Sequence, residues 1–120
     1  MISIEISLDN NSRVYAIDCH GHAEMAGDGE YDLVCASVSI IVQSAYLGIK
    51  EHLHRKVDFH RASGDFQMML QDEPDELTET IFRTMILGVE NVALQYPGVV
   101  RITKVGGEFD VYFCFAVVRT

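Results

Sequence analysis

The chain has 120 residues, 48% of them hydrophobic, and two prolines, which describes one domain with a real core and excludes a disordered chain. Its net charge of −9, from eighteen acidic residues against nine Lys and Arg, repels a nucleic-acid backbone and attracts a basic protein or peptide. Cys19, Cys35 and Cys114 form an odd set without a repeated short spacing, so they read as reduced thiols of a cytosolic protein and not as a secreted disulfide framework.

The N-terminus, Met1-Ile2-Ser3-Ile4-Glu5-Ile6, lacks the basic-then-apolar layout of a signal peptide. Instead Ile2, Ile4, Ile6 and Leu8 alternate with Ser3, Glu5 and Ser7, the period of a half-buried strand. Asp9-Asn10-Asn11-Ser12 is a turn cluster, and Arg13 to His20 resumes a strand, so the two form a β-hairpin. Gly21 to Tyr31 is a glycine-containing loop. Asp32 is a good N-cap for a helix that runs to about His54. The apolar residues of its first half, Leu33, Val34, Ala36, Val38, Ile40 and Ile41, cover much of the circumference and predict deep burial there. The apolar stretch Leu33 to Ile49 is interrupted by Ser37, Ser39, Gln43 and Ser44, and reads as too short and polar to span a bilayer.

Val57 to Arg61 and Phe66 to Leu70 flank Ala62-Ser63-Gly64-Asp65 as a second hairpin. A second helix is expected to start near Asp72-Glu73-Pro74, with Leu77, Ile81, Met85, Val89, Val92 and Tyr96 as one apolar stripe and Pro97-Gly98 as its stop. Val99 to Val105, the Gly106-Gly107 turn and Phe109 to Val118 form a third hairpin. The order ββαββαββ predicts an α+β fold in which two helices pack on a mostly antiparallel sheet, a single domain over residues 1–120.

Chemistry concentrates at the junction of the first loop and helix. Cys35 stands close to the expected helix start, where unpaired N–H groups favour thiolate over thiol. Free cysteine has a pKa of about 8.5, and helix N-termini or a neighbouring imidazolium bring it to roughly 3.5–7.5. Gly21, Gly27 and Gly29 let the chain fold back, so that His22 can approach Cys35. A cysteine protease needs a thiolate, a histidine to hold and return its proton, and donors for the oxyanion. Cys35 and His22 fit the first two roles, and the N–H groups of Cys35 and Ala36 the third. Ser39 lies one turn further along the same helix face. Asp32 is suited to capping the helix, orienting His22, or both. A cysteine in an apolar helix is ordinarily a small core residue, and a histidine after glycine ordinarily a turn residue. Here the two coincide at one junction. Cys19, His20 and His22, with His52, His54 or His60, match no standard zinc spacing, and strand alternation separates Cys19 from His20, so neither metal nor cofactor is expected.

The motifs Gly21-His22-Ala23 and Asp32-Leu33-Val34-Cys35-Ala36-Ser37-Val38-Ser39, with a glycine-rich loop between them, resemble those of the bacterial ribosomal-processing cysteine protease family, Prp. The Gly64 hairpin, the acidic start of the second helix and Tyr96-Pro97 extend the resemblance. It implies a homodimeric α/β fold and removal of an N-terminal extension from a basic large-subunit ribosomal protein, beside bulky apolar and aromatic residues. By motif position it implies His22 as general base and Cys35 as nucleophile, with Asp32 and Ser39 as the polar positions that accompany them; Gly21 and Ala36, which flank the two, complete the candidate site. The rival reading is a non-catalytic acidic dimer that binds a basic ribosomal protein with Cys35 merely buried. A redox sensor would require Cys19 as the resolving thiol.

Overall fold

Ile2, Ile4 and Ile6 are almost wholly buried, and the strand they define organises the molecule. The structure, a computed structural model, describes residues 1–21, 29–62, 64–106 and 113–115. Strand β1 (Ile2–Leu8) pairs antiparallel with β2 (Val14–Gly21), placing Ile6 opposite Ile17, Ile4 opposite Cys19 and Ile2 opposite Gly21. The turn between them is held by the Asp9 carboxylate, which accepts hydrogen bonds from the backbone N–H groups of Asn11 and Arg13. On its other side β1 pairs in parallel with β5 (Val100–Gly106).

Strands β3 (Val57–Ala62), β4 (Asp65–Leu70) and β6 (Phe113–Phe115) complete a six-stranded sheet of order β3-β4-β2-β1-β5-β6. Every described pairing except β1–β5 is antiparallel, so the α+β class and the mostly antiparallel sheet stand as expected. The first two hairpins fall where turn chemistry placed them. In the third, Ile102 lies opposite Phe115, and the rest of the expected last strand, with the side chain of Cys114, lies outside the described residues.

Both helices cover the face that carries the β1 isoleucines. Helix α1 (Gly29–Leu47) continues into a π-helical turn, Gly48–His52. It begins three residues before Asp32, so Asp32 lies inside the helix and does not cap it. Val34, Val38, Val42, Ala45 and Ile49 form its buried stripe. Leu33, Ile40 and Leu47 face outward at 52%, 64% and 52% exposure, against the expectation of burial all round. A single sheet can cover only one side of a helix, and among the described residues no further layer lies outside α1. By length and composition Leu33–His52 is apolar enough to cross a bilayer, contrary to the sequence reading. In this fold its inner stripe joins the same core as the sheet.

Helix α2 (Glu76–Gln95) starts later than expected, because Asp75 and not the Asp72-Glu73-Pro74 run supplies the cap. The Asp75 carboxylate accepts from the N–H groups of Leu77 and Thr78, while the Thr78 hydroxyl accepts from the Asp75 N–H, a capping box. That start rotates the stripe: Thr78 and Phe82 are buried, Leu77 is exposed and Ile81 only half-buried. The helix stops at Tyr96, before Pro97.

The cap yields a prediction. Hydrogen bonding from the Thr78 backbone, with Arg55 2.8 Å away, holds the Asp75 carboxyl below the usual carboxylate range. Asp75→Ala should cost about 1 kcal/mol in urea unfolding at pH 7. The carboxylate's contribution is present above its unfolded pKa and is lost as pH falls through the lowered folded value, so the gap between the two proteins should close in acid.

Candidate active site

Cys35 follows Val34 in the buried stripe of α1 and precedes Val38 by three positions, which sets it on the flank of that stripe and leaves it half-buried. It opens into a cleft of about 390 Å³ between α1 and the ends of β2, β3 and β4. Ala36, Val38, Ser39 and Val42 form the helical wall; Cys19, Gly21, Arg61, Asp65 and Phe66 come from the sheet. A second hollow of equal volume lies on the opposite face of the sheet, among Glu5, Asp18, Asp58 and His60, but has no cysteine. Of these two hollows the first is the one whose described lining offers a thiol.

Alternation along β2 explains the sheet wall. Ile17, Cys19 and Gly21 share the face of Ile6, Ile4 and Ile2, while His20 points away and lies 3.5 Å from Asp18 on the exposed side. Gly21 has φ +98°, and a Cβ there would run into the Met1 carbonyl, so glycine alone fits. Its N–H donates to the Gly64 carbonyl at 2.9 Å, fastening the end of β2 to the β3–β4 turn.

Four of the residues singled out in the sequence (Gly21, Cys35, Ala36 and Ser39) thus meet at one cleft. His22 and positions 23–28 lie outside the described residues, as does the side chain of Asp32. The early start of α1 alters two expectations. Cys35 is the seventh residue of the helix, so its N–H and that of Ala36 belong to the internal hydrogen-bond ladder and are not open oxyanion donors. The helix dipole also fades within the first turn, so it offers the thiolate little at this depth.

Sequence reasoning missed two neighbours. Gln43, one turn beyond Ser39, donates from Nε2 to the Ser39 hydroxyl at 2.6 Å, and Arg61 donates from Nη1 to Gln43 Oε1 at 3.4 Å. The i, i+4 spacing of Ser39 and Gln43 was a usable signal; Arg61 needed the fold. Cys19 lines the same cleft. Burial above all, then the charges of Asp18, Asp65 and Cys35, pushes its thiol up to about 12. Neither Cys19 nor Cys35 is in a disulfide. Among the described residues no group of three or more His, Cys, Asp or Glu side chains is placed to hold a metal ion.

The two thiols should therefore separate by reactivity. At pH 8 the thiolate fraction of Cys19 is on the order of 10⁻⁴. Iodoacetamide added to the folded protein, with peptide mapping by mass spectrometry, should modify Cys35 well before Cys19. Equal rates at the two positions would contradict this site.

The sequence profile of the cysteine protease Prp family matches residues 1–101. The fold is similar to that of the essential ribosomal processing protease Prp from S. aureus, solved with a covalently linked product peptide (22% identity) and with a substrate peptide (21%). Both superpose with a TM-score of 0.77 over 87% of this chain and 99% of theirs. SMU.848 from Streptococcus mutans is also similar, at TM-score 0.74 and 21% identity over 89% of this chain and 98% of that one. No curated protein matches the sequence. At these identities the structures speak for the fold, and the profile speaks for the family. With a half-buried cysteine opening into a cleft on that fold, the chain belongs to the Prp family of cysteine proteases.

Proposed function

We propose that the protein is a cytosolic cysteine endopeptidase that removes the N-terminal extension of a large-subunit ribosomal protein during ribosome assembly. The observation that carries this reading is the half-buried Cys35 at a cleft whose rim includes Gly21, the residue before His22. His22 takes the proton from Cys35 Sγ, and the thiolate attacks the scissile carbonyl carbon. The imidazolium returns the proton to the leaving amine, giving a thioester. Water, deprotonated by the same imidazole, then releases the acid and restores the thiol. With the helix amides engaged, the thiolate depends on the imidazolium more than on the dipole, and the oxyanion depends on side-chain donors such as Ser39.

Substrate class follows from the walls. Val38, Val42 and Phe66 offer an apolar floor for a bulky side chain, and Asp65 adds an acid in a chain of net charge −9 that attracts a basic protein. The S. aureus relative is a ribosomal processing protease, which supports the same substrate here.

A second copy of the chain is the proposed partner. Leu33, Ile40 and Leu47 of α1 and Leu77, Leu87 and Leu94 of α2 are exposed on the helical layer. Positions 33–49 carry no charged residue, so this is where two chains of equal negative charge meet with least repulsion. A groove of about 440 Å³ between Ile40, Ile81 and Met85 would receive the partner's side chains.

Two measurements test these readings. A peptide spanning the ribosomal protein's N-terminal segment should be cut once, with Cys35→Ala or His22→Ala slowing cleavage at least about a thousandfold. Undiminished cleavage by Cys35→Ala, or tight binding with no cleavage by the unaltered protein, would overturn the protease reading. Light scattering should give a dimer for the unaltered chain and a folded monomer for Ile40→Asp. A monomeric unaltered chain would remove the proposed interface.

A further inference from the structure

Three polar side chains link the exposed sheet edge to the cleft. Arg61 lies near the end of β3, an edge strand, and its guanidinium donates to Gln43 Oε1; Gln43 Nε2 in turn donates to Ser39 Oγ. The direction of this chain is fixed by chemistry. A guanidinium has no acceptor, so the Gln43 carbonyl must face Arg61 and its NH₂ must face Ser39. Without the cation the amide could turn over and present its oxygen to the serine.

That orientation decides what Ser39 can do. The nearby Ser37 spends its hydroxyl proton on the Leu33 carbonyl at 2.7 Å, a common fate of helical serines. Ser39 instead accepts a hydrogen bond, which polarises its O–H and occupies a lone pair on the side toward Gln43. Ser39 and Arg61 both line the cleft that holds Cys35, and the amides of Cys35 and Ala36 are engaged in the helix.

We propose that Gln43 and Arg61 are positioning residues that hold the Ser39 hydroxyl as a hydrogen-bond donor toward the peptide group cut at Cys35. The inference rests on the protease reading above. Each acts through a neighbour: Gln43 sets the hydroxyl, and Arg61 sets the Gln43 amide.

Gln43→Glu gives the sharpest test. A carboxylate at position 43 keeps the size of the side chain and strengthens the contact with Arg61, so a purely structural tie would survive or improve. It can only accept, however, so it would draw the Ser39 proton away from the cleft. Gln43→Glu should lower kcat for the peptide roughly tenfold or more, short of the about 10²–10³-fold loss for deleting a donor outright, with KM and thermal unfolding close to those of the unaltered protein. Gln43→Leu should lose kcat similarly, and Arg61→Met less, with Arg61→Lys partly restoring it. In a Ser39→Ala background, Gln43→Glu should cost nothing further, since both changes remove the same donor. Full kcat in Gln43→Glu, or losses that add with Ser39→Ala, would overturn the inference while leaving the protease reading intact. Failure of the unaltered protein to cut the peptide is a separate result and would overturn the protease reading itself.

Discussion

The molecule depends on the burial of Ile2, Ile4 and Ile6 in a strand that has a partner on each side. Their alternation fixes which face of β1 meets the helices, and the register with β2 then carries Cys19 and Gly21 onto that same face. A slip of one residue would turn Cys19 out to solvent and bring His20 under α1. The cleft is thus a product of strand register: the sheet wall is correct only because the isoleucines are inside.

Much of this was readable in the residues. The strand alternation of Ile2 to Leu8, the Asp9-Asn10-Asn11-Ser12 turn, the second hairpin and the end of α2 at Pro97 each follow from local rules that the fold obeys. Boundaries set by competing caps were not readable. Asp32 and the acids at 72–73 had the composition of helix starts, but α1 begins at Gly29 and α2 takes Asp75, where Thr78 completes a reciprocal pair. Burial around α1 was misread for a different reason. Apolar composition says how much a helix could bury, while the number of layers packed against it says how much it does; Leu33, Ile40 and Leu47 lie on the side that no described element covers. At the site, the motif residues Gly21, Cys35, Ala36 and Ser39 were found by sequence, since they sit in two short segments. Arg61 and Phe66 were not, since only the pairing of β4 with β2 brings that hairpin to the cleft.

Two thiols share this cleft with opposite character. Cys19 is embedded in the sheet beside carboxylates that disfavour a further negative charge, so it remains a neutral, packed side chain. Cys35 lies on a helical flank, half open to the space where a peptide would lie. Burial and neighbouring carboxylates fit Cys19 for packing, while its exposure leaves Cys35 suited to the reaction proposed for it.

The parallel pairing of β1 with β5 has a consequence for the birth of the chain. Ile2 is matched with Val100, so the central strand has β2 alone beside it until synthesis has passed β5. The N-terminal hairpin can close early because its contacts are local, but its far side stays an unpaired apolar edge until β5 has been made. Nascent chains stalled before β5 are accordingly the species most exposed to aggregation, and completion of the sheet coincides with release from that hazard.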